Sequence, residues 1–352
     1  MMQQTRPLVR LSKPKRSRGA AVVTALLIVA LATTLISGLF WQLQVSLRAV
    51  ENQRSRAQIN WVLRAALDWA GVILRGDARS GKTHLGQAWA IPIPETRLSA
   101  YLEKTSKEAF ITSDDEEAFL EGRIIDAQSR LNLAALATNG VIEKRERDSF
   151  MKLLEMLGAD TGLAERAAQF VAETQKGQQS AFNPQGTDKG GAGGSGASLS
   201  EGSNSSAFGL ATLDDFMAVS GFDQNLITRL TPFCTVLPDS SIVQVNGNTA
   251  SAEVLAARLA KISLADAKAL VAARNKAYFN NSGDMKGVLG PDLLADSDSV
   301  MTFNSSYFIV RGKVRLGRAR RAIEALVERA SNGVTKLVRV SDSINPYAEE
   351  TL

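Results

Sequence analysis

Three stretches of this sequence have residue types and spacings that could do chemistry. Gly76-Asp77-Ala78-Arg79-Ser80-Gly81-Lys82-Thr83 matches the pattern G-x-x-x-x-G-K-[ST]. In a nucleotide-binding loop, the backbone amides of such a segment cradle phosphates, the lysine reaches the β/γ oxygens and the hydroxyl binds magnesium. That geometry needs a strand before the loop and a helix after it. Here an amphipathic helical pattern precedes the loop and Leu85-Gly86-Gln87-Ala88-Trp89 with two prolines follows, so a helix-terminating loop is the favoured reading. Val245 to Leu255, followed by Leu264 to Arg274, resembles a helix-hairpin-helix unit of the kind that binds DNA phosphates through backbone N–H groups. Asn248 or Thr249 would cap its first helix. The hairpin Ala260-Lys261-Ile262-Ser263 lacks the glycine that lets a backbone form a close amide nest, so a structural helix pair is expected. The acidic run Asp114-Asp115-Glu116-Glu117 lacks the spacing of a calcium loop and reads as a solvated loop or helix start.

Other chemistry is limited by composition. Cys234 is the only cysteine and His84 the only histidine, so no internal disulfide forms and zinc sites built from several His or Cys ligands are excluded. No Ser/His/Asp set, paired-carboxylate signature or metalloprotease motif stands out, and no catalytic residue is assigned. Trp61 and Trp69 read as packing residues. The formal net charge of the 352 residues is +5. Six of the 41 basic residues (Arg6, Arg10, Lys13, Lys15, Arg16 and Arg18) lie in the first eighteen positions, and the remaining 35 against 36 acidic residues leave −1. The body therefore has no electrostatic footprint for a polyanion, and no nucleic-acid partner is expected.

The elements that position these residues begin with an apolar run. No charge appears between Arg18 and Arg48, and Ala20 to Phe40 is long enough to cross a bilayer core of about 30 Å as a helix. The basic leader predicts a cytoplasmic N-terminus and a body on the other side of the membrane. Apolar residues from Leu43 through Leu74 recur at helical spacing and carry the helix beyond the membrane until Gly76 and Gly81. Residues 122–127 read as a strand, 132–173 as helical, and 175–206 as a flexible Gly/Ser-rich segment. Helical patterns resume over 213–220, 225–230, 251–259 and 263–274. Tyr307–Leu316 and Thr335–Val340 alternate as strands. Between them, Ala319–Ala330 has high helix propensity, yet Asn332-Gly333 is a hairpin signal, and the strand is preferred.

The leader and helix resemble those of type IV pilin-like proteins, whose basic leader is cut after a glycine and whose new N-terminal amine is methylated. That resemblance implies cleavage between Gly19 and Ala20 by a prepilin peptidase. It also makes Thr24 notable, because pilins usually carry Glu at this fifth mature position, where the carboxylate pairs with the amine of the preceding subunit. A subunit at the tip has no predecessor to pair with. Arg18 to Ala30, Leu67-Asp68-Trp69-Ala70, Asp126 to Leu133, Val245 to Leu255 and Val310-Arg311-Gly312-Lys313-Val314 together look like the minor pseudopilin K family of the type II secretion system.

The resemblance implies an α+β, pilin-like fold, with a long N-terminal helix packed on an antiparallel sheet and a large all-α domain inserted in the sheet. The expected organisation is leader 1–19, membrane and assembly helix 20–75, first β region 76–131, inserted helical domain 132–295 with its flexible segment 175–206, and second β region 296–352. It further implies a tip subunit of a periplasmic pseudopilus, processed in the inner membrane, working with minor pseudopilins I and J in protein export and having no enzymatic activity. Calcium is a ligand in some members, without residues that can be assigned to it here. The motifs leave two alternatives. One is a membrane-anchored DNA-uptake receptor using the helix pair at 246–274, which duplex binding would reveal. The other is a P-loop NTPase, which nucleotide binding would reveal.

Overall fold

The computed structural model describes residues 18–98, 118–182 and 209–342. The leader before Arg18, the acidic run 114–117 and most of the Gly/Ser-rich segment lie outside them. Two compact units divide at Gln58/Ile59. Among the described residues, the first consists of the helix α1 (Arg18–Asp77) up to Gln58, and the second holds everything from Ile59 onward.

In the second unit α1 buries Ile59, Leu63, Ala70 and Leu74, spaced to fall on one face. The strands β1 (Ile93–Arg97) and β2 (Ala118–Asp126) follow. The chain then leaves the sheet through short bridges, β3 (Leu131–Asn132), β4 (Ala137–Thr138) and β5 (Val141–Ile142), and the helices α2 (Lys144–Met156) and α3 (Leu163–Phe182). Next come α4 (Gln224–Leu230), β6 (Cys234–Thr235), β7 (Val245–Asn246), α5 (Ala252–Arg258), α6 (Leu264–Lys276), α7 (Ser282–Leu289), α8 (Ser297–Val300) and β8 (Met301–Thr302). The chain returns to the sheet with β9 (Tyr307–Leu316), β10 (Ala319–Arg329) and β11 (Thr335–Asp342).

The five-stranded sheet has the order β1-β2-β9-β10-β11 and is antiparallel throughout. Because β2 pairs with β9, everything between Asp126 and Tyr307 is an insertion between two adjacent strands. One sheet face packs Phe308, Val310, Val314, Ile323, Ala325 and Val327 under α1. The insertion has a separate core in which Phe150, Leu154, Val171, Phe216, Leu230, Val254 and Leu270 meet. The observed class is thus the expected one, a long helix on an antiparallel sheet with a large helical domain inserted.

Several local expectations are corrected. Residues 132–173 are not continuously helical. Asn139 (φ 52°) and Gly140 (φ 77°) turn a small hairpin between β4 and β5, the Asn-Gly chemistry that overrides helix propensity. Helix α3 runs to Phe182, into the stretch expected to be flexible. Gln175 anchors it by donating to the Ala134 and Ala137 carbonyls and accepting from Gly140 N–H, and the first strong breaker is Asn183-Pro184. The strand preference for 319–330 holds. β10 pairs on both sides, and Gly333 (φ 81°) closes its turn into β11.

Candidate assembly site

The octapeptide 76–83 builds no phosphate cradle. Gly76 and Asp77 complete α1, Ala78–Ser80 form a single 3₁₀ turn, and Gly81 (φ 67°) reverses the chain. Gln87 Nε2 fills the loop by donating to Ser80 Oγ at 2.8 Å and to the Lys82 carbonyl at 3.0 Å. The Thr83 hydroxyl, which would have to face a metal, is buried. It donates to Asn304 Oδ1 (3.1 Å) and accepts from Ser305 N–H (3.1 Å) and Arg329 Nη2 (2.9 Å). A helix precedes the loop and the strand β1 is the next long element, the reverse of the order a phosphate loop needs.

Thr83 belongs to a buried polar junction where the insertion leaves and rejoins the sheet. Its centre is Asp126, the last residue of β2. Asp126 Oδ2 accepts from Asn246 Nδ2 (2.8 Å), Thr249 Oγ1 (2.6 Å) and Ser305 Oγ (2.7 Å), and Oδ1 accepts from Gln128 N–H (2.9 Å). Asn246 Nδ2 also reaches the Thr83 carbonyl at 3.1 Å. Arg329 closes the group: its guanidinium lies 4.6 Å over the Phe308 ring and donates to the Ser305 carbonyl at 2.8 Å. Burial pushes the Asp126 carboxyl above its ordinary range, against the opposing pull of its hydrogen bonds. Burial lowers Arg329, with Asp126 and Asp77 acting the other way. Such a group resists separation, because pulling one segment out strands the donors of the others in a low-dielectric interior. A second fastening lies beside it, where His84 from the sheet body stacks on Tyr278 from the insertion with ring centroids 4.2 Å apart.

The segment 245–274 forms a helix pair with structural duties. Ser251, rather than Asn248 or Thr249, caps α5. Asn248 is occupied with the backbone of Phe279, and Thr249 with Asp126. At the hairpin, Lys152 Nζ of α2 donates to the carbonyls of Leu259 (3.2 Å), Ala260 (3.3 Å) and Ile262 (2.9 Å). The hairpin is therefore held from inside the domain by a cation, and the favoured reading as a structural pair stands. Lys152→Met keeps the stem and removes the three donations. The expected loss is about 2 kcal/mol of domain stability, measured as an earlier denaturation midpoint with unchanged helical content.

Among the remaining sequence candidates, Cys234 is buried and its thiol is pushed far up by that burial, the behaviour of a packing residue. Trp61 and Trp69 do not pack as expected. They stand 72% and 41% exposed, because the buried stripe of α1 runs through Ile59, Leu63, Ala70 and Leu74. Among the described residues no three His, Cys, Asp or Glu side chains converge, so no calcium ligands are assigned.

At the other end of the chain, Gly19 and Ala20 fall in the first turn of α1. The Thr24 hydroxyl donates to the Ala21 carbonyl at 3.0 Å. The most apolar eighteen-residue window of α1 has a mean hydropathy of 2.4 and is fully exposed in the chain, which fits a membrane anchor. Among the described residues it is the one helix long and apolar enough to cross a membrane.

The architecture defines the class: a pilin-like protein, with one long partly apolar helix, a head built on an antiparallel sheet, and a helical domain inserted between adjacent strands. The family models described as "Type II secretion system (T2SS), protein K" match residues 129–239 and 245–301. The type II secretion system protein K of Pseudomonas aeruginosa is 27% identical over 333 residues, 91% of each chain. That of Pectobacterium carotovorum subsp. carotovorum is 27% identical over 317 residues, 86% of this chain and 89% of the relative. The solved structure of the GspK-GspI-GspJ complex from the enterotoxigenic Escherichia coli type 2 secretion system contains a chain with the same fold. The TM-score is 0.60 at 18% identity, covering 84% of this chain and 99% of that one. The family models, the curated relatives and the shared fold all point to the type II secretion system protein K family, the minor pseudopilins K.

Proposed function

We propose that the protein is the tip subunit of a periplasmic pseudopilus, assembled with minor pseudopilins I and J, and that it initiates pseudopilus assembly for export across the outer membrane. The likeness to a chain solved in a GspK-GspI-GspJ complex carries this reading. In this scheme the precursor sits in the inner membrane with its leader in the cytoplasm and its head in the periplasm. Prepilin peptidase cuts between Gly19 and Ala20, the Ala20 amine is methylated, and the helix leaves the bilayer for the pseudopilus.

The chain's own residues suit the role. Trp61, Ala65, Trp69 and Val72 lie on α1 at i, i+4, i+8 and i+11, all exposed, and form an apolar seam against which partner helices can pack. The inserted domain, fastened through Asp126, caps the assembly. Thr24 supports the first place in the stack: its hydroxyl is satisfied within its own helix, so the position offers no carboxylate to the amine of a preceding subunit. Thr24→Glu is expected to leave assembly unchanged or weaken it, read as the amount of pseudopilus recovered from cells. A large gain would contradict the tip position.

The test of the whole reading is co-purification of the full chain with the I and J pseudopilins, followed by localisation of the complex on the pseudopilus. Labelling at one end supports it, and labelling along the shaft overturns it.

A further inference from the structure

A cavity of about 350 Å³ lies between α1 and the sheet. Ala66 and Ala70 of α1 line it from one side, Gly122 of β2 and Gly312 of β9 from the other. Trp69 (41% exposed) and Ile91 (69% exposed) mark its open side. Glu121, Arg123 and Arg311 also border it, but strand alternation turns their side chains to the opposite face. There Arg311 pairs with Glu324, and Lys313 with Glu121. The side chains facing the cavity are therefore apolar, and the Trp89 indole N–H among them is engaged with Gln87 Oε1 at 2.8 Å.

Gly122 and Gly312 stand directly opposite each other across β2 and β9. Neither has a positive φ. A Cβ at Gly122 would lie 3.5 Å from the Arg311 carbonyl oxygen, and one at Gly312 3.5 Å from Leu63 Cδ2, both ordinary contacts. The backbone thus does not require glycine here, and glycine inside a strand weakens it. The pair interrupts the packing under α1. On one side of it Ile59, Leu63 and Val314 form one cluster, and on the other Ala70, Trp89 and Val310 form a second. The cavity occupies the gap.

We infer that this cavity binds a hydrocarbon chain, the acyl chain of a fatty acid or of a membrane lipid. An apolar cavity of about 150 Å³ stays dry and takes benzene. This one has more than twice that volume, so one side chain from a partner would leave much of it empty. An extended peptide would need partners for its backbone. β1, the strand at the open side, carries Pro94 and a register shift between Ile93 and Thr96 and offers no regular ladder. A hydrocarbon chain needs no hydrogen bonds, and its removal from water supplies the attraction. The apolar part of α1 fits a membrane anchor, so acyl chains are at hand. Trp69 also belongs to the proposed helix seam, but the cavity is formed by this chain alone and does not depend on that reading.

The test places the full chain in phosphatidylcholine nanodiscs with a photoreactive diazirine on one of two carriers. One arm uses diazirine-bearing dodecanoic acid, the other phosphatidylcholine with the same group on its acyl chain. Labelled positions are mapped by peptide mass spectrometry. The expected result is label within 63–73, 89–93 or 120–124, displaced by unlabelled dodecanoic acid in the first arm. Label from the acid alone identifies a free fatty acid as the ligand, and label from the phospholipid identifies a lipid chain. Ala66→Phe, which fills the cavity, is expected to cut this labelling about tenfold or more, the effect of excluding about two methylenes, without lowering the thermal midpoint. Gly312→Ala fills less and is expected to cut it less, and Val141→Ser on the inserted domain to change nothing. Label confined to the apolar part of α1, or cavity label that neither Ala66→Phe nor Gly312→Ala reduces, overturns the inference. So does a cavity that takes no label while pseudopilins I and J protect 63–73 from amide exchange, since partner side chains would then fill it.

Discussion

Asp126→Ala lowers the stability of the head by about 4 kcal/mol, the largest loss expected from any single side chain at the junction. The carboxylate accepts four hydrogen bonds at 2.6–2.9 Å from groups on three chain segments. Alanine supplies no acceptor. Gln128 N–H, the Thr249 hydroxyl and the Ser305 hydroxyl each lose a partner where little water can replace it, at about 1–3 kcal/mol for each buried unsatisfied group. Against a typical domain stability of about 5–15 kcal/mol, that brings the head near its limit. Denaturation of the full chain in micelles, followed by tryptophan fluorescence, reads the effect. Trp89 is buried edge-on to Phe308 with ring centroids 5.5 Å apart, next to Arg329. Asp126→Asn is expected to cost about half as much, because its amide oxygen can replace Oδ2 while its NH₂ then opposes Gln128 N–H. A full-sized loss in Asn and none in Ala would refute the hydrogen-bond account.

The same residue sets a pH dependence with a definite sign. The folded-state pKa of Asp126 is raised by burial above its unfolded value of about 3.9. The folded head therefore holds this proton where the unfolded chain has released it. The contribution is fully present below about pH 4 and is lost as pH rises through the folded-state pKa. Wild type should lose stability relative to Asp126→Asn, which cannot ionise, as pH increases from about 4. Parallel pH profiles would show that Asp126 does not titrate in this window.

Much of this architecture was readable from local pattern. α1 announces itself through a charge-free apolar run followed by helical spacing, both properties of consecutive residues. The β10–β11 hairpin shows how far that goes. Ala319–Ala330 favours a helix by composition, and only Asn332-Gly333 argues otherwise. The strand prevails because β10 is flanked by β9 and β11 and buries Ile323, Ala325 and Val327 beneath α1. The junction was not legible for the opposite reason. Asp126 and Asn246 are 120 residues apart, and their local partners, the Gln128 and Asn248 N–H groups, form ordinary turns that do not mark either side chain as buried. The stretches containing them stood out as a resemblance, but nothing in periodicity or spacing joins one to the other. The same limit hid the insertion's shape. Its helix boundaries depend on Gln175 reaching the 134–140 backbone and Lys152 reaching the 259–262 hairpin.

Gly19→Ala is expected to abolish leader removal, and with it secretion, while leaving the head folded. The cleavage proposed above needs an extended substrate, so the first turn of α1 would have to open across the Gly19–Ala20 bond first. Helix α1 begins at Arg18, which places that bond inside the helix. Glycine weakens a helix by about 1 kcal/mol relative to alanine and lets the backbone approach another molecule closely. Alanine at position 19 takes away both advantages. It strengthens the turn that has to open and puts a methyl group beside the scissile carbonyl. With the leader retained, six positive charges stay on the cytoplasmic end of the helix, and drawing them through the hydrocarbon core costs about 2.5–3.5 kcal/mol each at the bilayer centre. The precursor would then be held in the membrane however well its head engages its partners. Intact-mass measurement of the membrane fraction should find the uncut chain, and the culture medium should lack the exported proteins. Because the substitution lies outside the compact unit that holds the sheet and insertion, the denaturation profile of the head should match wild type. Cleavage at the normal rate in this variant would move the processing site elsewhere.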